Sequence, residues 1–297
     1  MSDNLKGAAL MVGSMTAFTI NDAFMKAIAG ELPLFQAMFL RGLGLVACLI
    51  GLCAAAGQLR PAVSVRDWWL VVLRGLAEVG GAVFFMTALF HMPLANVSAI
   101  MQATPLAVSL AGAIFLGEML GWRRLLAILV GFLGVLLIVR PGGSDFSIFT
   151  LAAVGAVICV TFRDLAARRL SKDLPSLFAA LVAAVLVTAF VGLASFLEDW
   201  APISTKAAAQ LLGAMIFILG GYFFSVAAMR VGDVSFTAPF RYTSLLVALI
   251  LGFVVFGDLP GPLTLIGAGI VVVTGLFTLY REHKAKARHH QVPGRLR

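Results

Sequence analysis

The sequence predicts an all-α membrane protein: ten transmembrane helices arranged as two inverted five-helix repeats. Three observations carry this. Of the 297 residues, 61% are hydrophobic and only 12% are charged, about half the charge that clothes a soluble domain, and the mean hydropathy is +1.02. Mostly apolar stretches of membrane-spanning length follow one another along the whole chain, separated by short Gly, Pro or charged punctuation. The second half of the chain then repeats landmarks of the first in the same order.

A spanning helix needs about 20 apolar residues, and ten segments qualify, at roughly 7–28, 34–56, 69–90, 95–116, 122–139, 147–167, 176–197, 207–229, 234–256 and 261–280. They leave no room for a separate soluble domain. The predicted organisation is a first repeat over 1–140, a second over 141–280 and a basic tail over 281–297. Met1 to Lys6 carries one Lys and no small-x-small cleavage pattern follows, so the first span reads as a retained helix. Cys48, Cys53 and Cys159 sit within apolar stretches without a C-x-x-C pair or a Cys/His cluster, which argues against disulfide or zinc scaffolds and identifies no metal site.

Basic loops stay on the cytoplasmic side. With the N-terminus inside, fifteen of the 22 Lys and Arg fall in inner loops and tails: Lys6, Arg60, Arg66, Arg123, Arg124, Arg168, Arg169, Lys172, Arg230, Arg281, Lys284, Lys286, Arg288, Arg295 and Arg297. Only Lys26, Arg140 and Lys206 fall outside, while Arg41, Arg74, Arg163 and Arg241 lie within spans. Both termini are predicted cytoplasmic. The net charge of +8 then needs no nucleic acid partner; the tail with His283, His289 and His290 reads as a segment lying against anionic lipid.

The repeat is specific. Asp22 with Pro33 eleven residues later recurs as Asp164 with Pro175, Gly80-Gly81-Ala82-Val83-Phe84 as Gly220-Gly221-Tyr222-Phe223-Phe224, and Leu116-Gly117-Glu118-Met119-Leu120-Gly121 as Phe256-Gly257-Asp258-Leu259-Pro260-Gly261. Five spans per unit is an odd number, so the second copy enters the membrane from the other side. Inverted repeats of this kind build secondary transporters, in which substrate binds between the halves near midplane.

On these residues, with Asn21-Asp22 in the first span, Phe115-Leu116-Gly117-Glu118 and Gly121, Gly131 and Gly134 after it, and the matching Phe256-Gly257-Asp258 with Gly261, Gly269 and Gly275, the chain resembles the ten-helix, EamA-type members of the drug/metabolite transporter superfamily along its whole length. Asp258 stands where that family usually has Glu. The resemblance implies a cavity walled by spans one, three, four, six, eight and nine, with spans five and ten at the periphery. It also implies a bacterial inner-membrane transporter, exporting amino acids (aromatic ones included) or other amphipathic metabolites by alternating access. Uptake or exchange of S-adenosylmethionine or a similar metabolite, and multidrug export, stay open as alternatives.

Ionisable residues inside spans are expensive and mark candidate sites. Glu78 is the deepest acid, near midspan, with Arg74 one turn before it and Gly80-Gly81 after it, where helices can approach or a cavity can open. It is a candidate for a substrate ammonium or a coupling proton, or forms a structural pair with Arg74. Asp22 and Asp164 are repeat equivalents near span ends, able to gate or to pair with Lys26 and Arg168; Asn21 and Arg163 are their equivalent neighbours. Arg41 reads as structural. Arg241 follows Pro239, which frees backbone carbonyls, and precedes Tyr242, the position matching Pro105 at the offset shared by Ser98 and Ser235. A broken helix beside an Arg and a Tyr can take a carboxylate and pack an apolar side chain, or it is a kink whose Arg reaches lipid headgroups. Gln102 with Thr104, and Tyr222, Phe84 and Phe85, complete the expected lining; Gly80, Gly81, Gly220, Gly221, Pro105 and Pro239 are hinge or helix-break candidates. His91 reads as an interface residue. No nucleophile, metal or phosphate motif of an enzyme is present. The expected partners are a small-molecule substrate, the bilayer and, as a coupling ion, the proton; no cofactor is expected, and because one chain holds both halves a monomer suffices, with a dimer also compatible.

Overall fold

The computed structural model describes residues 3–118, 120–142, 146–171, 173–232 and 234–290. Met119 of the repeated motif, Lys172 and the tail cations Arg295 and Arg297 lie outside them, as do the side chains of Ser235, His283, Lys286, Arg288, His289 and His290. The described residues are helical and contain no strand: α1 (Asp3–Ile28), α2 (Leu34–Ala55), α3 (Val65–His91), α4 (Leu94–Met101), α5 (Thr104–Leu116), α6 (Trp122–Val139), α7 (Ile148–Arg168), α8 (Ser176–Ala194), α9 (Thr205–Val231), α10 (Val234–Thr237), α11 (Thr243–Phe256) and α12 (Pro262–His290).

The ten spans are present, two of them in pieces. The fourth divides into α4 and α5 at Gln102–Ala103; the ninth divides into α10, a 3₁₀ turn over Ala238–Tyr242, and α11. Nine of the spans in the described residues are apolar and long enough to cross a membrane, counting each divided span's membrane-crossing part as one; α1 does not reach that apolarity. Its 26 residues include Ser14, Thr19, Asn21, Asp22 and Lys26. Ser14, Thr19 and Asn21 are nevertheless buried, because α1 is surrounded by protein and its polar groups find partners there. The Ser14 hydroxyl donates to the Gly221 carbonyl of α9 at 2.8 Å, and the Thr19 hydroxyl to the Met15 carbonyl at 2.8 Å.

The packing is dominated by four pairs, α1 with α9, α3 with α7, α2 with α8, and α6 with α12. Each pair joins one helix of the first half to one of the second. The repeat equates α1 with α7 and α3 with α9, so the first two pairs are images of each other, and the other two are each their own image: the two halves interlock about a pseudo-twofold axis, as an inverted repeat requires. At the periphery, α6 turns Leu125, Leu129, Leu133 and Leu136 outward while Ile128, Gly131, Gly134 and Ile138 are buried, a stripe that suits lipid on one face and α12 on the other. A Cβ on Gly134 would stand 2.9 Å from the Gly267 carbonyl, so the backbones of α6 and α12 meet where both lack side chains.

The repeated Leu/Phe-Gly-acid motif is a helix stop. Gly117 and Gly257 adopt φ of 67° and 69°, the left-handed region that residues with a Cβ avoid. The following amides, of Glu118 and Asp258, then reach back to the carbonyls of Gly112 at 3.2 Å and Gly252 at 2.9 Å. The third span of each half opens on a serine cap in the same way: the Ser64 hydroxyl oxygen accepts from the Asp67 amide at 3.1 Å, and that of Ser204 from the Ala207 amide at 3.0 Å.

Candidate functional site

The two broken spans meet each other. Pro105 and Pro239 contribute no backbone N–H where their helices divide. The loose backbone is held locally: the Thr104 hydroxyl donates to the Met101 carbonyl at 2.7 Å, and that of Ser244 to the Arg241 carbonyl at 3.0 Å. Between the breaks, the Gln102 amide donates to the Ser244 hydroxyl oxygen at 2.8 Å, joining the halves at the centre of the molecule.

Around this junction lies a cavity of about 460 Å³, within the ~300–1,000 Å³ of metabolite pockets. Its walls are Met15, Phe18, Thr19 and Asp22 of α1, Phe85 of α3, Ser98, Gln102, Pro105 and Ser109 of the fourth span, Arg163, Asp164 and Arg168 of α7, and Arg241 and Ser244 of the ninth, with Leu279 of α12. Span eight, which the resemblance placed in the wall, contributes no lining residue; α9 packs behind α1, where Tyr222 sets its ring edge-on to Phe18 at 5.4 Å. Leu279 enters instead from span ten, expected at the periphery, because α12 packs on the Ala238–Tyr242 turn as well as on α6.

The charges fall into two groups. Arg163 is a hub: its Nε and Nη2 contact Oδ1 of Asp164 at 2.9 and 2.8 Å, and its Nη1 contacts Oε1 of Glu78 at 3.2 Å. Arg74 stands 3.8 Å from the other Glu78 oxygen and donates to the Ala179 carbonyl at 3.1 Å. Glu78 thus joins α3 to α7 behind the wall rather than lining the cavity. The second group is open. The carboxylate of Asp22 accepts from the neutral Asn21 amide at 2.9 Å, and Asn21 in turn accepts from Arg41 at 3.3 Å. The guanidinium of Arg241 is exposed, and among the described residues no acid lies within ion-pair distance of it.

The cavity reaches Arg168 in the last turn of α7, whose Nη1 meets Glu118 at 2.8 Å with both side chains about 40% exposed (39% and 41%). This is the face on which the N-terminus lies. On the opposite face Lys26 donates to the carbonyls of Met92 at 2.7 Å and Leu89 at 3.5 Å and covers the Phe256 ring at 5.5 Å, closing α1 onto α3 and α11. Beyond it, Glu198 accepts from the amides of Phe35 and Gln36, Gln36 pairs doubly with the Ala201 backbone, and Glu31 meets Lys206 at 2.6 Å and Ser204 at 2.7 Å. Hydrogen bonds from Lys206 and Ser204 hold the Glu31 carboxyl below the usual glutamate range.

Of the residues singled out from the sequence, Asp22, Gln102, Pro105, Arg163, Asp164 and Arg241 come together on the cavity. Tyr242 does not: it is 6% exposed, packs on Gly275 of α12, and its hydroxyl has no partner among the described residues. In a 3₁₀ turn successive residues point about a third of a turn apart, so Arg241 and Tyr242 cannot both face the cavity. Phe84 lies against Gly155 of α7 and leaves the lining to Phe85. Gly80 and Gly81 sit within unbroken α3 facing Cys159 and Val160, Gly220 and Gly221 within unbroken α9, with Phe18 against Gly221; they permit close helix contact where no break occurs. Pro239 shapes the turn without lining it. Arg168, expected from the sequence as an ion-pair partner for Asp164, meets Glu118 instead while Arg163 takes Asp164; Thr19, Ser109 and Ser244 join the site without a signal in the sequence, since single hydroxyls are common.

Two interlocked halves, two broken helices meeting each other and a charged cavity around their junction define a membrane transporter of the inverted-repeat class. The chain belongs to the EamA-like transporter family, which it matches over residues 5–140 and 147–280. It is 28% identical over 301 residues, 98% of this chain and 99% of the other, to a protein of Rickettsia conorii named S-adenosylmethionine uptake transporter. It is 28% identical over 226 residues to a riboflavin transporter of Vibrio cholerae, covering 75% of each chain, and 26% identical over 287 residues to a pseudopaline exporter of Pseudomonas aeruginosa, covering 94% and 97%. A solved crystal structure with 21% identity superimposes with a TM-score of 0.65, covering 93% of this chain and 98% of that one, which shows the shared fold.

Proposed function

We propose that the protein moves small amphipathic metabolites bearing a carboxylate, amino acids and amino-acid-headed molecules among them, across the bacterial inner membrane by alternating access. One observation carries this reading: the Arg241 guanidinium lines a cavity at a helix break and, among the described residues, no acid stands within ion-pair distance of it, Asp164 being held by Arg163, while Phe18, Phe85, Met15 and Leu279 offer apolar surface beside it. A guanidinium takes a carboxylate in bidentate fashion. Both termini are placed in the cytoplasm by the charge bias of the loops, so the cavity faces the cytoplasm; the repeats are bounded at 1–140 and 141–280, with 281–297 as a basic tail on that side.

Export of amino acids, aromatic ones included, fits the lining. Uptake or exchange of a larger amino-acid-headed molecule such as S-adenosylmethionine is favoured by the name of the Rickettsia relative, which matches over nearly the full length of both chains. Proteoliposomes loaded with labelled phenylalanine, methionine or S-adenosylmethionine, with and without a proton gradient, separate the two and show whether protons couple. Arg241→Ala raises KM for the amino acid by about 10- to 100-fold, the value of one charge-assisted contact, and leaves the decarboxylated amine unaffected; equal losses for both probes reject the assignment.

A further inference from the structure

The two halves carry equivalent acids, Asp22 and Asp164, both on the cavity wall, yet their surroundings differ in charge. Asp164 has a cation in contact, since the adjacent Arg163 holds its Oδ1 through two nitrogens at 2.9 and 2.8 Å. The repeat equivalent of Arg163 is Asn21, a neutral amide that donates to Oδ1 of Asp22 at 2.9 Å. The guanidinium missing from α1 is supplied at one remove from α2: Arg41, 8% exposed, donates from Nη1 to the Asn21 oxygen at 3.3 Å, while its Nε has no partner among the described residues. Arg41 thereby fixes which way round the Asn21 amide lies, oxygen toward the cation and nitrogen toward Asp22. One carboxylate is compensated in contact. The other stands on the cavity wall with only a neutral amide bonded to it among the described residues.

We propose that Asp22 is the group that receives the cationic end of the substrate, an ammonium or sulfonium, and that Arg41 is its positioning residue acting through Asn21. This rests on the reading of the cavity as a carboxylate-binding transport site and supplies the other half of a zwitterion's recognition: Arg241 for the anion, Asp22 for the cation. Lys26, one turn along α1, does not neutralise Asp22, because its ammonium is bound to the Leu89 and Met92 carbonyls. Glu78 does not compete for the role, because Arg163 covers it.

The test uses the full-length protein in proteoliposomes and three probes with one side chain: methionine, its decarboxylated amine and its deaminated acid. Asp22→Asn raises KM for methionine and the amine by about tenfold or more and leaves the deaminated acid within twofold; Asp164→Asn shows no such split. Asp22→Glu keeps KM for methionine and the amine near the native values, which separates charge from folding. Arg41→Met raises KM for the amine with little change in kcat, and Arg41→Lys restores it. Equal losses of all three probes in Asp22→Asn, or the selective loss appearing in Asp164→Asn, overturns the assignment, and an unchanged amine KM in Arg41→Met overturns the role of Arg41. Failure of the native protein to move any of the three probes instead rejects the underlying reading of the cavity.

Discussion

Arg163 shows how a single side chain decides what its neighbours can do. By contacting both Glu78 and Asp164 it turns the deepest acid of the sequence into part of a helix-to-helix tie between α3 and α7. Glu78 and Arg163 are about a quarter exposed (24% and 27%), so the tie is worth less than the ~3–5 kcal/mol lost on breaking a fully buried pair. Glu78→Gln therefore lowers stability by about 1–2 kcal/mol, read as a lower melting temperature in detergent, while KM for substrate stays within twofold. A tenfold change in KM with unchanged melting returns Glu78 to the binding site. Tyr242 gives the opposite case. Its buried hydroxyl lacks a partner among the described residues, which costs about 1–3 kcal/mol of desolvation; Tyr242→Phe keeps transport and is neutral or raises the melting temperature, whereas lost transport would mean the hydroxyl meets substrate.

At the scale of the element, the divided fourth and ninth spans carry the functional geometry. Irregular backbone survives at membrane depth only where protein or a cavity satisfies its polar groups, and here the Thr104 and Ser244 hydroxyls do so, with the Gln102 amide donating to Ser244. Restoring the N–H at position 239 lets the turn rewind toward α-helix, which rotates Arg241 off the cavity. Pro239→Ala is therefore expected to lose transport by tenfold or more with no loss of thermal stability, and transport at the native rate would show that the break is not needed. The peripheral pair behaves differently: Gly134→Leu pushes a side chain into the Gly267 carbonyl, and overpacking there costs about 1–3 kcal/mol in melting experiments.

At the scale of the molecule, the ties between halves are distributed over two faces. Arg168 and Glu118 flank the cavity mouth, while Lys26, Glu198, Gln36 and the Glu31–Lys206 pair hold the opposite face together. Alternating access requires the second set to open. Because the native Glu31 carboxyl is held below its ordinary value, its contribution to closure is complete above the unfolded glutamate value of about 4.3 and is lost as the pH falls through the lower native value. A cysteine introduced beside Ser204, its labelling rate divided at each pH by that of a free thiol, is thus expected to become more reactive as the pH falls below the native Glu31 value, and Glu31→Gln to remove that pH dependence; a normalised rate independent of pH in the native background would show that the tie does not govern opening.

Much of this was legible in the chain itself. Charge scarcity and apolar runs determine a membrane bundle because the bilayer leaves helices no other way to satisfy their backbones, and Gly117 and Gly257 announce matched helix stops because only glycine adopts their φ freely. Asp22, Asp164, Gln102 and Arg241 stood out because polar groups in spans are costly. What the sequence left open is direction around each helix axis. Glu78 reads as the deepest acid, open to substrate or paired with Arg74, until α7 brings Arg163 against it from 85 residues away; Tyr242 reads as Arg241's partner until the 3₁₀ turn points it at α12; and Arg41 reads as structural without a named partner until α2 lays it against Asn21. Depth in the membrane is written along the chain, but whether a side chain faces lipid, a neighbour or the cavity is decided by which helices pack together.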